Sequence, residues 1–338
     1  MAFEKVKEII KTPPAYATLT DLAAEKLGGK VLYCTDDFFA EKENLIKAGR
    51  GIFITDKYTE RGKWMDGWES RRKRTPGHDW AVVQLAAPGS IKGFNIDTNF
   101  FLGNHPPQAS VQAANITDAD PITDWENVNW KEILTQSHLD AGSQNFYESN
   151  SNKIFTHIRL HIYPDGGVAR LRVYGEPFKN WDAVSSDETL DLASALNGAK
   201  SIACNDMFFS DMSNLLLPNR GANMGDGWET KRNRTPNNRD WVIIQLAHKG
   251  IIEKVLVDTC HFKGNYPDSC SIEACNSNSD EEAMNDTVQW QTILPATKLS
   301  ADAEHEFVIE NKNLFTHARL NIFPDGGISR LRLFGKKA

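Results

Sequence analysis

The sequence predicts an all-β protein made of two tandem antiparallel β-sandwiches, on three observations. A long motif occurs twice, runs of strand length rich in β-branched residues recur at matching places, and turn signals stand between them. The first copy of the motif is Asp66-Gly67-Trp68-Glu69-Ser70-Arg71-Arg72-Lys73-Arg74-Thr75-Pro76. The second is Asp226-Gly227-Trp228-Glu229-Thr230-Lys231-Arg232-Asn233-Arg234-Thr235-Pro236, and an Asp-Trp pair follows each, at Asp79-Trp80 and Asp240-Trp241. A length of 338 residues fits two domains of ordinary size.

The elements justify this in order. Residues 1–19 read as an appendage in which Val6, Ile9 and Ile10 form a short amphipathic turn before Pro13-Pro14. The first repeat is expected over 20–178, a polar linker over 179–188 and the second repeat over 189–338. Asp21-Leu22-Ala23 returns as Asp191-Leu192-Ala193, Phe38-Phe39 as Phe208-Phe209, and Asn44-Leu45-Ile46 as Asn214-Leu215-Leu216. The offset between copies falls from 170 to 160 at the Asp-Gly-Trp-Glu motif, so about ten extra residues sit in a surface loop within 47–63.

After the motif, the runs Trp80 to Leu85 and Trp241 to Leu246 read as strands, as do Ile91 to Phe101 and Ile251 to Phe262. The latter pair ends in Gly103-Asn104-His105-Pro106 and Gly264-Asn265-Tyr266-Pro267, both turn signals. Short strands follow at Ser110 to Ala114 and Ser271 to Cys275, then at Trp130 to Leu134 and Trp290 to Leu294. Residues 155–175 are about two-thirds identical to 315–335 and read as strand, Asp-Gly-Gly turn, strand, a closing hairpin.

Composition excludes several classes. A net charge of -7 and a pI near 5.8 supply no field for a nucleic-acid backbone or an anionic membrane, so neither partner is expected. No apolar run reaches the length of a membrane helix and no signal peptide is recognisable at the N-terminus, so a cytoplasmic location is expected. The five cysteines form no Cys-x-x-Cys pair, and Cys34 and Cys204, at equivalent places, are expected as small apolar fillers. No phosphate loop, nucleophile elbow or local His/Cys metal motif occurs. No cofactor is predicted, and activation by a divalent metal stays open.

The chemistry concentrates in loops. Arg71, Arg72, Lys231 and Arg232 follow paired carboxylates in the same order in both repeats, and a guanidinium fork suits a small carboxylate ligand. An adjacent Asp and Glu suit proton transfer if one stays ionised and burial keeps the other protonated. Asn104 and Asn265 stand where a side-chain amide could bind a urea or amide group, although a turn Asn in a left-handed conformation explains them equally well. One His stands on each Asp-Thr to Gly-Asn loop, at different places: His105 in the first and His261 in the second. Trp68 and Trp228 are expected as core anchors, and His157 and His317 as structural partners.

Each repeat resembles the galactose-binding or discoidin type of jelly roll. Together, Asp-Gly-Trp-Glu-(Ser/Thr)-(Arg/Lys)-Arg, Asp-Thr-x-x-Phe-x-Gly-Asn and Pro-Asp-Gly-Gly-x-x-Arg-x-Arg resemble allantoicase, from about residue 20 to the end. The resemblance implies hydrolysis of allantoate, a small-molecule substrate, to ureidoglycolate and urea in purine-nitrogen salvage. On that reading Asp66, Glu69, Asp226 and Glu229 transfer protons, with His105 or His261 as the alternative acid or base. Arg71, Arg72, Lys231 and Arg232 hold the carboxylate, and Asp97, Asn104, Asp258 and Asn265 complete the substrate contacts. A homo-oligomer is left open. The alternative is a non-catalytic discoidin-like module that binds a small anionic or carbohydrate ligand.

Overall fold

A computed structural model describes residues 11–116, 124–149, 151–285 and 287–338. The helical turn expected around Val6, Ile9 and Ile10 lies outside the described residues. The chain divides into two compact units, Met1–Phe178 and Lys179–Ala338.

Each unit is organised by one strand of 19 residues, Asp79–Asp97 in the first and Asp240–Asp258 in the second. The two runs read separately from the sequence are therefore one strand with two sets of partners. Its first half pairs with Ile154–Tyr163 and Lys30–Cys34, its second half with Arg170–Pro177 and Gln144–Glu148. The change of partner falls at Pro88-Gly89, where proline has no N–H to give a ladder and a Cβ on Gly89 would lie 2.7 Å from the Glu176 carbonyl. Hydrogen bonding consequently runs through an eight-stranded antiparallel sheet, and the second unit repeats the path. Both halves of the long strand send apolar side chains into one core, with Val83 and Leu85 from the first and Phe94 and Ile96 from the second. Trp68, Ile158, Leu160, Leu171 and Val173 fill the same core. The all-β class expected from the sequence is what these elements form.

The expected closing hairpin is not one. Ile154–Tyr163 and Arg170–Pro177 do not pair with each other but flank the long strand on its two sides. A two-residue hairpin would have put both arms in one ladder, whereas here the residues between them cross over the long strand. On the way, Gly167–Val168 pairs with Trp68–Glu69, and Gly327–Ile328 with Trp228–Glu229. The Asp-Gly-Gly turn is thus laced to the Asp-Gly-Trp-Glu motif some hundred residues earlier.

Glycine is needed at that crossing. Gly166 and Gly326 have φ of 137° and 139°, and a Cβ there would lie 2.6 Å from the Asn104 carbonyl oxygen and 2.7 Å from that of Asn265. Gly167 and Gly327 lie against the rings of Phe101 and Phe262, leaving no room for a methyl group. Gly327→Ala is expected to destabilise the second unit by about 1–3 kcal/mol through overpacking. An unchanged denaturation midpoint would contradict this.

The extra residues of the first repeat fall between Ile52 and Asp66. The backbone N–H of Ile52 reaches Asp66 and that of Ala222 reaches Asp226, so residues 53–65 answer to 223–225. They are largely exposed and include the small pairing Tyr58–Thr59 with Gly62–Lys63. All five cysteines are free, and burial pushes the Cys34 and Cys204 thiols up to about 12 and about 11, as suits fillers rather than nucleophiles. Among the described residues no helix is long and apolar enough to cross a membrane.

Candidate active site

Three segments meet at one end of the second unit: the chain after Glu229, the turn at Gly264-Asn265-Tyr266 and the turn at Pro324-Asp325-Gly326. They line an open cleft of about 800 Å³ that presents Glu229, Arg232, Arg234, Asn265, Tyr266 and Asp325. Local bonds explain why these segments hold together. The Thr230 N–H donates to the Gly326 carbonyl at 3.0 Å, and the Gly326 N–H donates back to the Thr230 hydroxyl at 3.1 Å. The Asp325 carboxylate accepts the Asn233 N–H at 2.8 Å, which fixes the backbone between the two arginines. Ser70, Gly166 and Asp165 make the equivalent bonds in the first unit, where Asp165 accepts the Lys73 N–H at 2.7 Å.

A Glu–Asn pair stands in each unit. The Asn265 side-chain amide donates to Glu229 Oε1 at 2.5 Å and that of Asn104 to Glu69 Oε1 at 2.7 Å. Burial pushes the Glu69 carboxyl above the usual carboxylate range, against the opposing pull of the Asn104 hydrogen bond. Both asparagines also accept a backbone bond, from Gly167 at 2.8 Å and Gly327 at 2.9 Å. Loop Asn and crossover turn therefore position the carboxylate from two sides.

Of the residues expected at the site, the structure brings Glu229, Arg232 and Asn265 together, and pairs Glu69 with Asn104. Arg72 is exposed at the position equivalent to Arg232.

Four expected carboxylates are engaged elsewhere. Asp66 binds Arg170 Nη2 at 2.8 Å and the Ile52 N–H at 2.9 Å; Asp226 binds Arg330 Nη2 at 2.9 Å and the Ala222 N–H at 3.0 Å. Asp97 takes the Arg50 fork at 2.7 and 3.0 Å, and Asp258 takes the Arg220 fork at 3.0 and 3.2 Å. Asp66, Asp226, Asp97 and Asp258, expected to transfer protons or contact substrate, are thus each held in an ion pair with an arginine. The physical reason is that a carboxylate this deeply buried needs a cation, and arginines far off in the sequence provide it.

Arg71 is likewise committed, its Nε and Nη2 lying 2.7 and 2.6 Å from Asp36 and its guanidinium over the Phe38 ring. Lys231 gives its backbone N–H to Asp206 at 2.7 Å and does not line the cleft. His105 occupies the place of Tyr266; burial lowers its pKa, and its Nδ1 has no hydrogen-bond partner among the described residues. His261 points its Nε2 at the Gly221 carbonyl, 2.8 Å away, outside the cleft lining. Trp68 and Trp228 are fully buried, each bonded through its indole N–H to a backbone carbonyl, of Asp36 and Asp206. His157 and His317 are buried beside Thr156 and Thr316.

The family model described as "Allantoicase repeat" matches residues 20–178 and 190–338. The chain belongs to the allantoicase family. It is 50% identical over 327 residues to a probable allantoicase of Pseudomonas syringae pv. syringae (strain B728a), covering 96% of this chain and 98% of that one. A probable allantoicase of Photobacterium profundum is 51% identical over 322 residues, covering 94% and 96%. Among solved structures, allantoicase from Saccharomyces cerevisiae superposes with a TM-score of 0.80 at 36% identity, covering 94% of this chain and 92% of that one.

The sequence reading missed Asp165 and Asp325, which lie in the repeated Pro-Asp-Gly-Gly run and were legible there only as turn residues. It also left Tyr266 without a role, because tyrosine after Gly-Asn carries no signal until the turn is folded over the cleft.

The two allantoicase repeats also differ beneath the arginine loop. In the first, His78 Nε2 meets His161 Nδ1 at 2.8 Å, His161 Nε2 meets the Gln112 amide oxygen at 3.1 Å, and Lys73 Nζ binds Asp79 at 2.7 Å. In the second, Asn321 replaces His161 and donates to Glu273 at 2.9 Å. Burial, then the charges of Arg159 and His78, push His161 down to about 3. Folded His161 therefore binds fewer protons than unfolded His161, so its contribution to stability is full above about pH 6.5 and is lost as pH falls towards 3. His161→Asn, which copies the second repeat, is expected to flatten that acid limb in denaturation midpoints measured against pH. An unaltered limb would show that other groups set it.

Proposed function

We propose that this protein hydrolyses allantoate to ureidoglycolate and urea, and that the Glu–Asn pair facing Arg232 and Arg234 is its catalytic centre. The carrying observation is one cleft that holds Glu229, its Asn265 partner and two arginines. Allantoate bears one carboxylate and two ureido groups on a single carbon. The guanidinium groups of Arg232 and Arg234 hold the carboxylate, and Tyr266 and the backbone of the Asp325 turn border the ureido arms.

Glu229 acts on the bond between that carbon and the departing urea nitrogen. Asn265 occupies one of its oxygens and orients the other. Glu229 delivers a proton to the nitrogen as the C–N electron pair leaves with urea. Water then adds to the carbon, and its proton returns to the carboxylate, so one residue serves first as acid and then as base. In the first unit Glu69, Asn104 and Arg72 hold the equivalent positions. The raised pKa of Glu69 suits an acid that keeps its proton until the leaving group needs it. Asp66 and Asp226 support the loops through their arginine pairs.

The test is to incubate chelator-treated protein with allantoate and to follow urea and ureidoglycolate, with and without added divalent metal. Equal amounts of both products in the chelated sample are expected. No release under either condition would refute hydrolysis and favour a binding module. The proposal includes a cytoplasmic location and a role in purine degradation, with neither nucleic acid nor membrane as partner, which the net charge of -7 supports. Sedimentation of the purified chain decides whether it assembles as a homo-oligomer.

A further inference from the structure

The second unit carries a cluster that the cleft does not use. Cys260, His261 and Asp302 each bring one donor atom to within 4.8 Å of the others, the thiol buried, the imidazole half-buried and the carboxylate exposed. A tetrahedral ion at the usual ~2.0–2.3 Å from its ligands holds them about 3–4 Å apart, a closure that small side-chain rotations achieve. Sulfur, imidazole and carboxylate together suit a borderline divalent ion.

The internal repeat supplies an independent comparison. The equivalent positions in the first unit are Asn99, Phe100 and Gly142, none of which offers a metal such a set. The backbone is nonetheless the same: φ is 64° at Phe100 and 70° at His261, 59° at Gly142 and 51° at Asp302. Even the tether is kept, since Asn99 Nδ2 caps the Gly51 carbonyl at 2.9 Å and His261 Nε2 caps the Gly221 carbonyl at 2.8 Å. The Asp302 carboxylate also accepts the His261 backbone N–H at 2.7 Å, which holds the two segments together at the cluster. Because His261 gives its Nε2 proton to a carbonyl, its Nδ1 lone pair is left free and its ring is oriented, the arrangement by which outer carbonyls position metal-binding histidines.

We propose that Cys260, His261 and Asp302 form a three-donor site for Zn²⁺ or a similar borderline divalent ion, with water completing the coordination. Binding displaces the thiol proton, which burial and the nearby Asp258 hold in place against the pull of Arg220. Cys260 and His261 lie on the segment that leads to Asn265, whereas Asp302 lies about forty residues on, so the ion clips two loops together. Phe262, next to His261, packs against Gly227 and Gly327, the latter adjoining Gly326 of the cleft lining. The site is thus a brace for the cleft, separate from the proposed acid–base chemistry.

Cobalt(II) titration of the reduced, metal-free protein tests it. The wild type is expected to bind one Co²⁺ per chain with a near-ultraviolet thiolate-to-metal charge-transfer band, displaced by Zn²⁺, and Zn²⁺ is expected to raise its Tm. Cys260→Ser should lose the band and the Tm shift, as should Cys260→Asn/His261→Phe/Asp302→Gly, which installs the first unit's residues on a matching backbone. Circular dichroism checks that each variant is folded; if the triple variant is not, Cys260→Ser decides. A wild type without the band, or a band that survives Cys260→Ser and therefore belongs to another cysteine, overturns the proposal without touching the hydrolytic reading.

Discussion

Replacing both Glu69 and Glu229 with glutamine is expected to abolish urea release from allantoate while leaving a folded protein. Glutamine keeps the shape of glutamate and an oxygen to accept the bonds from Asn104 and Asn265, so the Glu–Asn contacts at 2.7 and 2.5 Å survive. What is lost is the proton. General acid–base catalysis by a positioned group typically contributes about 10²–10⁴-fold, so a fall of that size is expected in kcat, with KM changed less because the arginines remain. The single variants divide the activity between the units: whichever substitution takes the larger share marks the dominant site. Stability does not fall with activity. Burial raises the Glu69 pKa, so its favourable contribution is present below the ordinary carboxylate range and is lost as pH rises through the raised value. At neutral pH Glu69→Gln is therefore at least as stable as the wild type. Near-normal turnover by the double variant would sink the assignment.

Asp226→Ala is expected to do the reverse. Its carboxylate neutralises Arg330, and both side chains are over nine-tenths buried, with 9% and 4% of their surfaces exposed. Removing one member of a buried pair leaves an uncompensated charge and typically costs about 3–5 kcal/mol. The Arg330 guanidinium keeps its bonds to the Asn219 and Ser329 carbonyls, so the lower end of that range is expected. Guanidinium denaturation followed by tryptophan fluorescence measures the loss, and Asp66→Ala should act likewise through Arg170 in the first unit. Activity would fall with the folded fraction. An unaltered midpoint combined with lost kcat would return Asp226 to the chemistry.

Much of the candidate site was legible because the chain states it twice. Glu229, Arg232 and Asn265 could be singled out since a motif with the same order of charges stands in both repeats. The same repetition also pointed to Asp66, Asp97 and Arg71, which proved to be held by Arg170, Arg50 and Asp36. Repetition marks a residue as required without saying whether it is required by a ligand or by a buried counter-charge. Only the distance to a partner separates the two, and Arg170 lies 104 residues from the Asp66 it neutralises.

The sequence by itself determined the all-β class, the two repeats, the buried tryptophans and the loops in which the chemistry sits, because alternation, turn residues and internal repetition are local properties of a chain. The tertiary structure alone decided that the two predicted strands from Trp80 and from Ile91 are one, that the Asp-Gly-Gly segment is a crossing rather than a hairpin, and which arginines face the cleft. Those outcomes depend on which strands share a ladder and which charges are desolvated together. Such pairings are set by packing across a hundred or more residues, and no window of sequence contains both partners.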